Sequence, residues 1–496
     1  MKYCSTRAKN PKTCSASDAI LQGLAPDGGL FMPTEIPQMS AEDLAHYLTL
    51  SYAELASEIL QKYLDDYTPL DLTADTASAY GPIAFPKGPV QLKMLDTKLY
   101  SLELWHGPTC AFKDMALQLT PKLLSRALEK KKEKRTAMVV TATSGDTGKA
   151  ALEGFRNVPG VKIMVYYPAN GTSEIQRLQM VTQEGSNVCV TGVDGNFDDA
   201  QSGVKALFAS PAMQKLCQDH RVFLTSANSI NWGRLVPQIV YYVYAYCHLV
   251  RGGALRSGEL LDVCVPTGNF GNILAAYLAK RMGLPIGQLV CASNRNHVLA
   301  DFFQTGVYNR NRPFYTTTSP SMDILISSNL ERLLYLICGP EKTAEYMQTL
   351  KKEGEFVLEP KDLSRIQKDF TGMWTDEDGT AATIHSVYDV YHYACDPHTA
   401  VAMGAALKYR ETSDKRETRR MLVVSTASPF KFARPVLTSL VGQAPEDEEK
   451  AMQALSDLTC QPIPAPLCNL TTKEVRFADV VDKMAIASAL EAFICH

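Results

Sequence analysis

Lys113 closes the run Leu104-Trp105-His106-Gly107-Pro108-Thr109-Cys110-Ala111-Phe112, an apolar, glycine-containing approach to a predicted helix. Partial desolvation near a helix N-terminus disfavours an ammonium, and the free amine is the form that makes an imine. Taken alone, such a lysine is far more often a surface charge. Two strand-to-helix turns change its meaning. The first is Thr143-Ser144-Gly145-Asp146-Thr147-Gly148. Hydroxyls and glycine amides at a helix start cradle a carboxylate or a phosphate, although a plain capped turn has the same composition. Gly148-Lys149 hints at a nucleotide P-loop, but Thr143 replaces its first glycine and Ala150 its magnesium-binding hydroxyl residue. The second turn, Pro266-Thr267-Gly268-Asn269-Phe270-Gly271-Asn272, aims several N–H groups at one oxyanion and lacks dinucleotide-fold glycine spacing. An imine-forming lysine with a glycine-rich phosphate cup is the minimum equipment for pyridoxal phosphate.

These residues need elements to hold them. Buried strands are predicted at Met138–Ala142, Lys162–Tyr167, Val188–Val193, Val222–Leu224, Leu261–Val265 and Leu289–Cys291, with a late strand Met421–Ser425. Helical patterns lie between them, at 114–134, 148–156, 174–182, 198–209, 234–250 and 272–282. Short apolar strands alternating with helices argue for an α/β fold of two open, mainly parallel sheets covered by helices. A small, mainly helical N-terminal domain is expected over 1–88, from Pro/Gly punctuation followed by helical spacing of Leu44, Tyr47, Leu48, Tyr52, Leu55 and Ile59. The catalytic region is expected over 89–435 as two α/β subdomains, with a helical insertion near 340–395. A C-terminal extension and helix follow over 436–496.

Composition excludes several classes. Hydrophobic residues make up 46% and charged residues 21% of 496 residues, a globular balance. The net charge of -3 gives no global attraction to nucleic acid or anionic lipid. No apolar run reaches membrane-helix length, and Met1 to Arg7 lacks a signal-peptide core, so a cytoplasmic protein is expected. The 13 cysteines include no C-x-x-C pair, so reduced thiols and no metal site are expected.

The chain resembles the longer-form threonine synthases, within the tryptophan-synthase-β-like pyridoxal-phosphate enzymes of fold type II. The residues that carry the resemblance run from Tyr3-Cys4-Ser5-Thr6-Arg7 and Leu24 to Phe31, through His106 to Asp114 and Ala142 to Gly148. They continue with Gly195 to Ala200, Asn228 to Arg234, Gly268 to Asn272, Ser319 to Asp323, and Ser425-Thr426-Ala427. The resemblance implies that Lys113 carries the cofactor covalently and that Gly268, Asn269, Phe270, Gly271 and Asn272 hold its phosphate. Ser144, Gly145, Asp146 and Thr147 would face the substrate carboxylate and the cofactor's phenolic oxygen. An acid beside a phenolate must be protonated or bridged. Thr426, with Ser425 as the alternative, would approach the pyridine nitrogen. The implied substrate is O-phospho-L-homoserine, with L-threonine and phosphate as products. A phospholyase releasing 2-oxobutyrate, ammonia and phosphate is the alternative outcome. Cations and hydroxyls must surround the leaving phosphate, and Arg234, Lys149, Ser319 and Ser321 are the candidates. Asn228 and Asn231 are expected to order the Arg234 loop, and His106 to be a packed structural histidine. A small phosphorylated amino acid is the only partner expected, bound by a monomer or homodimer.

Overall fold

The computed structural model describes residues 1–9, 12–169, 171–412 and 419–495. Two sheets organise the chain. The six-stranded sheet runs, edge to edge, Phe370–Trp374, Ile286–Ser293, Leu261–Pro266, Arg420–Ser425, Leu99–Glu103 and Gln91–Met94. All its pairings are parallel except the last, where Gln91–Met94 lies antiparallel on Leu99–Glu103. The five-stranded sheet is parallel throughout, in the order Val480–Asp482, Val188–Asp194, Val161–Pro168, Thr136–Ala142 and Val222–Thr225. The α/β fold class with mainly parallel sheets is therefore the one present. Helices on both sheets bury the continuous apolar strands, which is why these strands read as unbroken hydrophobic runs.

Differences from the sequence reading have local causes. The helix expected over 114–134 is two, Asp114–Leu117 and Thr120–Lys131, because Pro121 starts the second and Thr120 Oγ1 donates to Ala116 O and Gly233 O. Pro237 likewise divides Trp232–Leu235 from Pro237–Arg251. The stretch 340–395, expected to be helical, also contributes the edge strand Phe370–Trp374. There Phe370 and Gly372 are buried, the glycine because a Cβ would lie 2.5 Å from Ala300 O. The stretch 436–496, expected to be an extension ending in a helix, also contributes a strand: Val480–Asp482 extends the smaller sheet, and Tyr166 Oη donates to Ile486 O at the start of the final helix.

The N-terminal residues form the hairpin Tyr3–Ser5 with Phe31–Pro33 and four helices, three of them started by capping boxes at Ser15, Ser40 and Ser51. This unit docks on the segment that carries Asn231 and Trp232. Tyr3 and Tyr63 pack on buried Trp232, with ring centroids 5.5 Å and 5.7 Å away, and Asn231 Nδ2 donates to Ile20 O.

Candidate active site

The carboxyl ends of four strands converge on one cavity of about 860 Å3. Leu99–Glu103 leads into the Lys113 loop. Thr136–Ala142 leads into Thr143 to Thr147, Leu261–Pro266 into the glycine-rich cup, and Arg420–Ser425 into Thr426.

The Lys113 loop is tied down residue by residue. Ala111 bridges Ala427, Phe112 N–H donates to Thr426 O at 2.8 Å, and Ser428 N–H donates to Cys110 O at 3.1 Å. This zipper brings Lys113 and Thr426 together although they are far apart in the chain. The fully buried Asp114 carboxylate accepts from the Thr109 N–H and hydroxyl, each at 2.8 Å. Burial raises the Asp114 pKa to about 7 against those two bonds. Gly107 is required at the approach, since a Cβ would stand 2.5 Å from Asp114 Oδ2.

Lys113 itself is buried at the mouth of the helix, its Nζ 3.4 Å from Asp146 Oδ2 and 3.5 Å from Ser321 Oγ. Burial lowers its pKa, with help from Lys431 and Arg234 and against the pull of Asp146. Asp146 is bridged: Lys431 Nζ lies 2.7 Å from Oδ1, and Gln176 Nε2 donates to the same oxygen at 2.9 Å. Burial pushes its pKa up, but the charges of Lys431 and Lys113 outweigh that and hold the carboxyl well below its usual range.

In the first turn, Thr143 Oγ1 accepts from the N–H groups of Gly145 at 3.0 Å and Gly148 at 2.8 Å. Those two amides are spent internally, so the cradle is smaller than its composition suggests. Ser144, Asp146 and Thr147 line the cavity, while Gly145 lies behind it, where a Cβ would stand 2.5 Å from Gln176 Cδ.

The cup sits at the N-terminus of Gly271–Arg281. Phe270 adopts a left-handed conformation (φ 64°), and its buried ring packs on Phe303 and Phe370, which hold the strained residue in place. Gly268 packs against the segment carrying Ser321, whose carbonyl oxygen would stand 2.5 Å from a Cβ. A Cβ at Gly271 would make only ordinary van der Waals contacts, with Asn329 Nδ2 at 3.6 Å, Gln238 Nε2 at 3.8 Å and Ser229 Cβ at 3.9 Å. Asn272 Oδ1 accepts from Tyr241 Oη at 2.8 Å, whereas its buried Nδ2 has no partner. An orphaned donor beside a glycine-lined space at a helix N-terminus fits the phosphate of pyridoxal phosphate.

Gly271→Val is therefore expected to weaken cofactor retention about tenfold or more while leaving the melting temperature of the cofactor-free protein nearly unchanged. A Cβ there fits at ordinary contact distance, and the branched methyl groups would obstruct the amide cradle. Dialysis followed by cofactor quantification, beside thermal melts of the stripped protein, checks this.

Arg234 is buried in the cavity wall and donates from Nη1 to Ala227 O. Its Nε has no partner, and among the described residues no carboxylate is paired with it. Burial lowers its pKa to about 10. A buried guanidinium without a counter-ion is equipped for an incoming anion.

Other candidates stand elsewhere. Lys149 is turned away from the cavity by packing against Gln183, and its Nζ lies 3.0 Å from Glu153 Oε2, one helical turn on. Lys149→Met should thus change the apparent affinity for a phosphorylated substrate less than about twofold, yet cost about 1 kcal/mol of stability, since Glu153 would keep Gln183 Nε2 at 3.1 Å and Arg156 at 3.7 Å. Steady-state kinetics and denaturant melts separate the two effects. Ser319 is fully buried behind the wall, where its Oγ accepts from Asn294 Nδ2 at 2.9 Å; the turn Pro320–Met322 presents Ser321 instead. Ser425 Oγ is occupied by Trp105, Tyr393 and Thr399, and Thr426 is the residue on the cavity. His106 pairs with Glu103 at 2.7 Å and stacks on Trp105, away from the cavity. Asn231 caps its helix by accepting from Gly233 N–H at 2.9 Å, while Asn228 lines the cavity with an unpartnered Oδ1.

Sequence reasoning missed Lys431 and His398. His398 lines the cavity; its Nε2 accepts from Ser321 N–H at 3.2 Å, so Nδ1 carries the proton and donates to buried Asp396 at 2.8 Å. The signal was present as a buried Asp-x-His, but its target lies 77 residues away in the chain.

Family comparisons match three segments: "Threonine synthase N terminus" over 2–80, "Pyridoxal-phosphate dependent enzyme" over 88–427 and "Threonine synthase, C-terminal" over 399–494. The threonine synthase of Pseudomonas aeruginosa is 37% identical over 99% of this chain and 97% of its own. Human threonine synthase-like 1 is 38% identical over 88% of this chain, which spans only 60% of that relative's length. The crystal structure of pyridoxal-phosphate-bound threonine synthase from Brucella melitensis superposes with TM-score 0.87 at 36% identity, covering 100% of both chains.

Proposed function

This chain belongs to the threonine synthase family of pyridoxal-phosphate-dependent enzymes, and from that premise we propose that it converts O-phospho-L-homoserine and water to L-threonine and phosphate. The observation that carries the reading is one cavity holding a desolvated lysine, a glycine-lined cup and a guanidinium without a counter-ion. When bound, pyridoxal phosphate withdraws electrons from the substrate and makes protons on its carbon skeleton removable.

The protein's part is positioning and proton transfer. Residues Gly268 to Asn272 would hold the cofactor phosphate at the helix N-terminus, and Thr426, on the same cavity, would offer its hydroxyl to the pyridine nitrogen. A hydroxyl there, unlike a carboxylate, would leave that nitrogen largely unprotonated. Ser144 and Thr147 orient the substrate carboxylate, together with the amides that Thr143 leaves free. Lys113 Nζ takes the proton from Cα, for which its depressed pKa suits it. A second proton leaves Cβ and phosphate departs from Cγ; a proton then returns to Cγ to form the methyl group, water adds its hydroxyl at Cβ, and Lys113 Nζ returns the proton to Cα. Arg234 and the Ser321 hydroxyl hold the departing phosphate, which carries about two negative charges at neutral pH. The Arg7 guanidinium, locked to Glu331 by bonds of 2.8 Å and 2.6 Å, closes the rim from the N-terminal unit and limits entry of bulk water.

Among the described residues no helix is long and apolar enough to cross a membrane, and all 13 cysteines are free, which supports a cytoplasmic enzyme. It works as a monomer or homodimer, which light scattering of the purified chain decides.

The deciding assay is incubation of the cofactor-loaded protein with O-phospho-L-homoserine. Threonine is expected to form one for one with phosphate. Release of 2-oxobutyrate and ammonia in its place would overturn the proposal in favour of a phospholyase.

A further inference from the structure

Lys431 has no place in the chemistry above, yet it is fully buried and bonded only within the site. Its Nζ lies 2.7 Å from Asp146 Oδ1 and donates to Thr109 O at 3.0 Å. It does not line the cavity. Burying an ammonium–carboxylate pair stabilises a fold little compared with apolar side chains of similar size, so stability alone is a poor reason for it.

Its geometry suggests another reason. Asp146 faces two lysines, one on each oxygen: Lys431 on Oδ1 and Lys113 on Oδ2. Lys113 has to shed its proton to act as nucleophile or base. With Lys113 as the sole counter-ion, deprotonation would strand a carboxylate that is 2% exposed. The carboxylate would then hold the Lys113 proton in place. A second lysine, shut off from the cavity, takes over the pairing and leaves Asp146 as a neutral unit toward Lys113. The same lysine anchors Thr109, whose N–H and hydroxyl fix Asp114 and hence the start of the Lys113 helix.

We propose that Lys431 is a positioning residue that compensates Asp146 and thereby keeps Lys113 reactive as a free amine near neutral pH. The inference rests on the assignment of Lys113 as the cofactor-bearing residue. Other charged or titratable groups around Lys113 act alongside: Arg234 repels its proton from the cavity wall, and His398 stands behind Ser321. The Asp114 carboxyl is turned onto Thr109.

The test is the pH dependence with which pyridoxal phosphate is trapped on Lys113 by borohydride in the full-length protein, read by peptide mass spectrometry. Lys431→Met should raise the midpoint by about one pH unit, roughly a tenfold loss of trapping below it. Adding Asp146→Asn to that variant removes both charges and should return the midpoint toward wild type. Asp146→Asn alone, which leaves two cations facing each other, should lower it; this variant decides the matter if Lys431→Met does not fold. The turnover pH profile of the loaded enzyme should move in the same directions. An unchanged midpoint in Lys431→Met, or in Asp146→Asn, would reduce Lys431 to a structural ion pair. Absence of trapping at Lys113 in the wild type would overturn both this inference and the assignment beneath it, whereas normal wild-type trapping with an unshifted variant overturns this inference alone.

Discussion

Lys113→Ala is expected to abolish cofactor attachment and to lower turnover by on the order of 10^4-fold, the upper range for a positioned general base. The effect is large because nothing nearby can substitute. Lys205 and Lys351 also line the cavity, but both are exposed and therefore keep their protons in solvent; Lys431 is sealed behind Asp146 and bonded to Thr109 O. Lys149 is committed to Glu153 and Gln183 on the far side of its helix. Loss of the ammonium should also leave Asp146 paired with Lys431 alone, so the fold should survive. The checks are the visible absorption of the purified variant, borohydride trapping with peptide mapping, and phosphate release. A reducible link at the same peptide region in the alanine variant would show that another amine holds the cofactor.

Arg234→Ala should impair turnover of the phosphorylated substrate by about 30- to 1000-fold, equivalent to about 2–4 kcal/mol for one lost charge-assisted bond to a desolvated oxyanion. Binding of L-threonine, which lacks the phosphate, should be nearly normal. The same substitution should not destabilise the cofactor-free protein, and relief of a buried, uncompensated charge should if anything raise its melting temperature. Stability and activity would then move in opposite directions, as expected for a residue placed for a ligand. Spectroscopic titration with both ligands, phosphate-release kinetics and thermal melts supply the three readouts. Equal losses for both ligands would make Arg234 structural. Lost cofactor retention would instead assign its charge to the cofactor phosphate.

Much of this was legible in one dimension. Strands such as Val188–Asp194 and Leu261–Pro266 are near-continuous apolar runs, and parallel sheets buried on both faces require that pattern. The glycine-rich turns follow strands and open helices, a local arrangement that fixes where amides point whatever the rest of the fold does. For the same reason Lys113 and Gly268 to Asn272 were identifiable together, whereas Thr426 was placed only by the family resemblance; all of them line one cavity.

What the sequence could not determine was which face each side chain turns and what meets it there. Lys149 and Ser319 sit within two or three residues of cavity-lining groups, yet Glu153 and Asn294 claim them. Asp146 looked out of place beside a phenolate until Lys431, 285 residues later, was found on its Oδ1. The stretch near 340–395 carried helical character, and only the open edge beside Ile286–Ser293 made Phe370–Trp374 a strand. Local rules act over a few residues, through helix and strand periods and turn geometry. Charge compensation and hydrogen-bond satisfaction in a low-dielectric interior act between whatever groups the tertiary fold brings within about 3 Å, and sequence distance places no limit on those pairs.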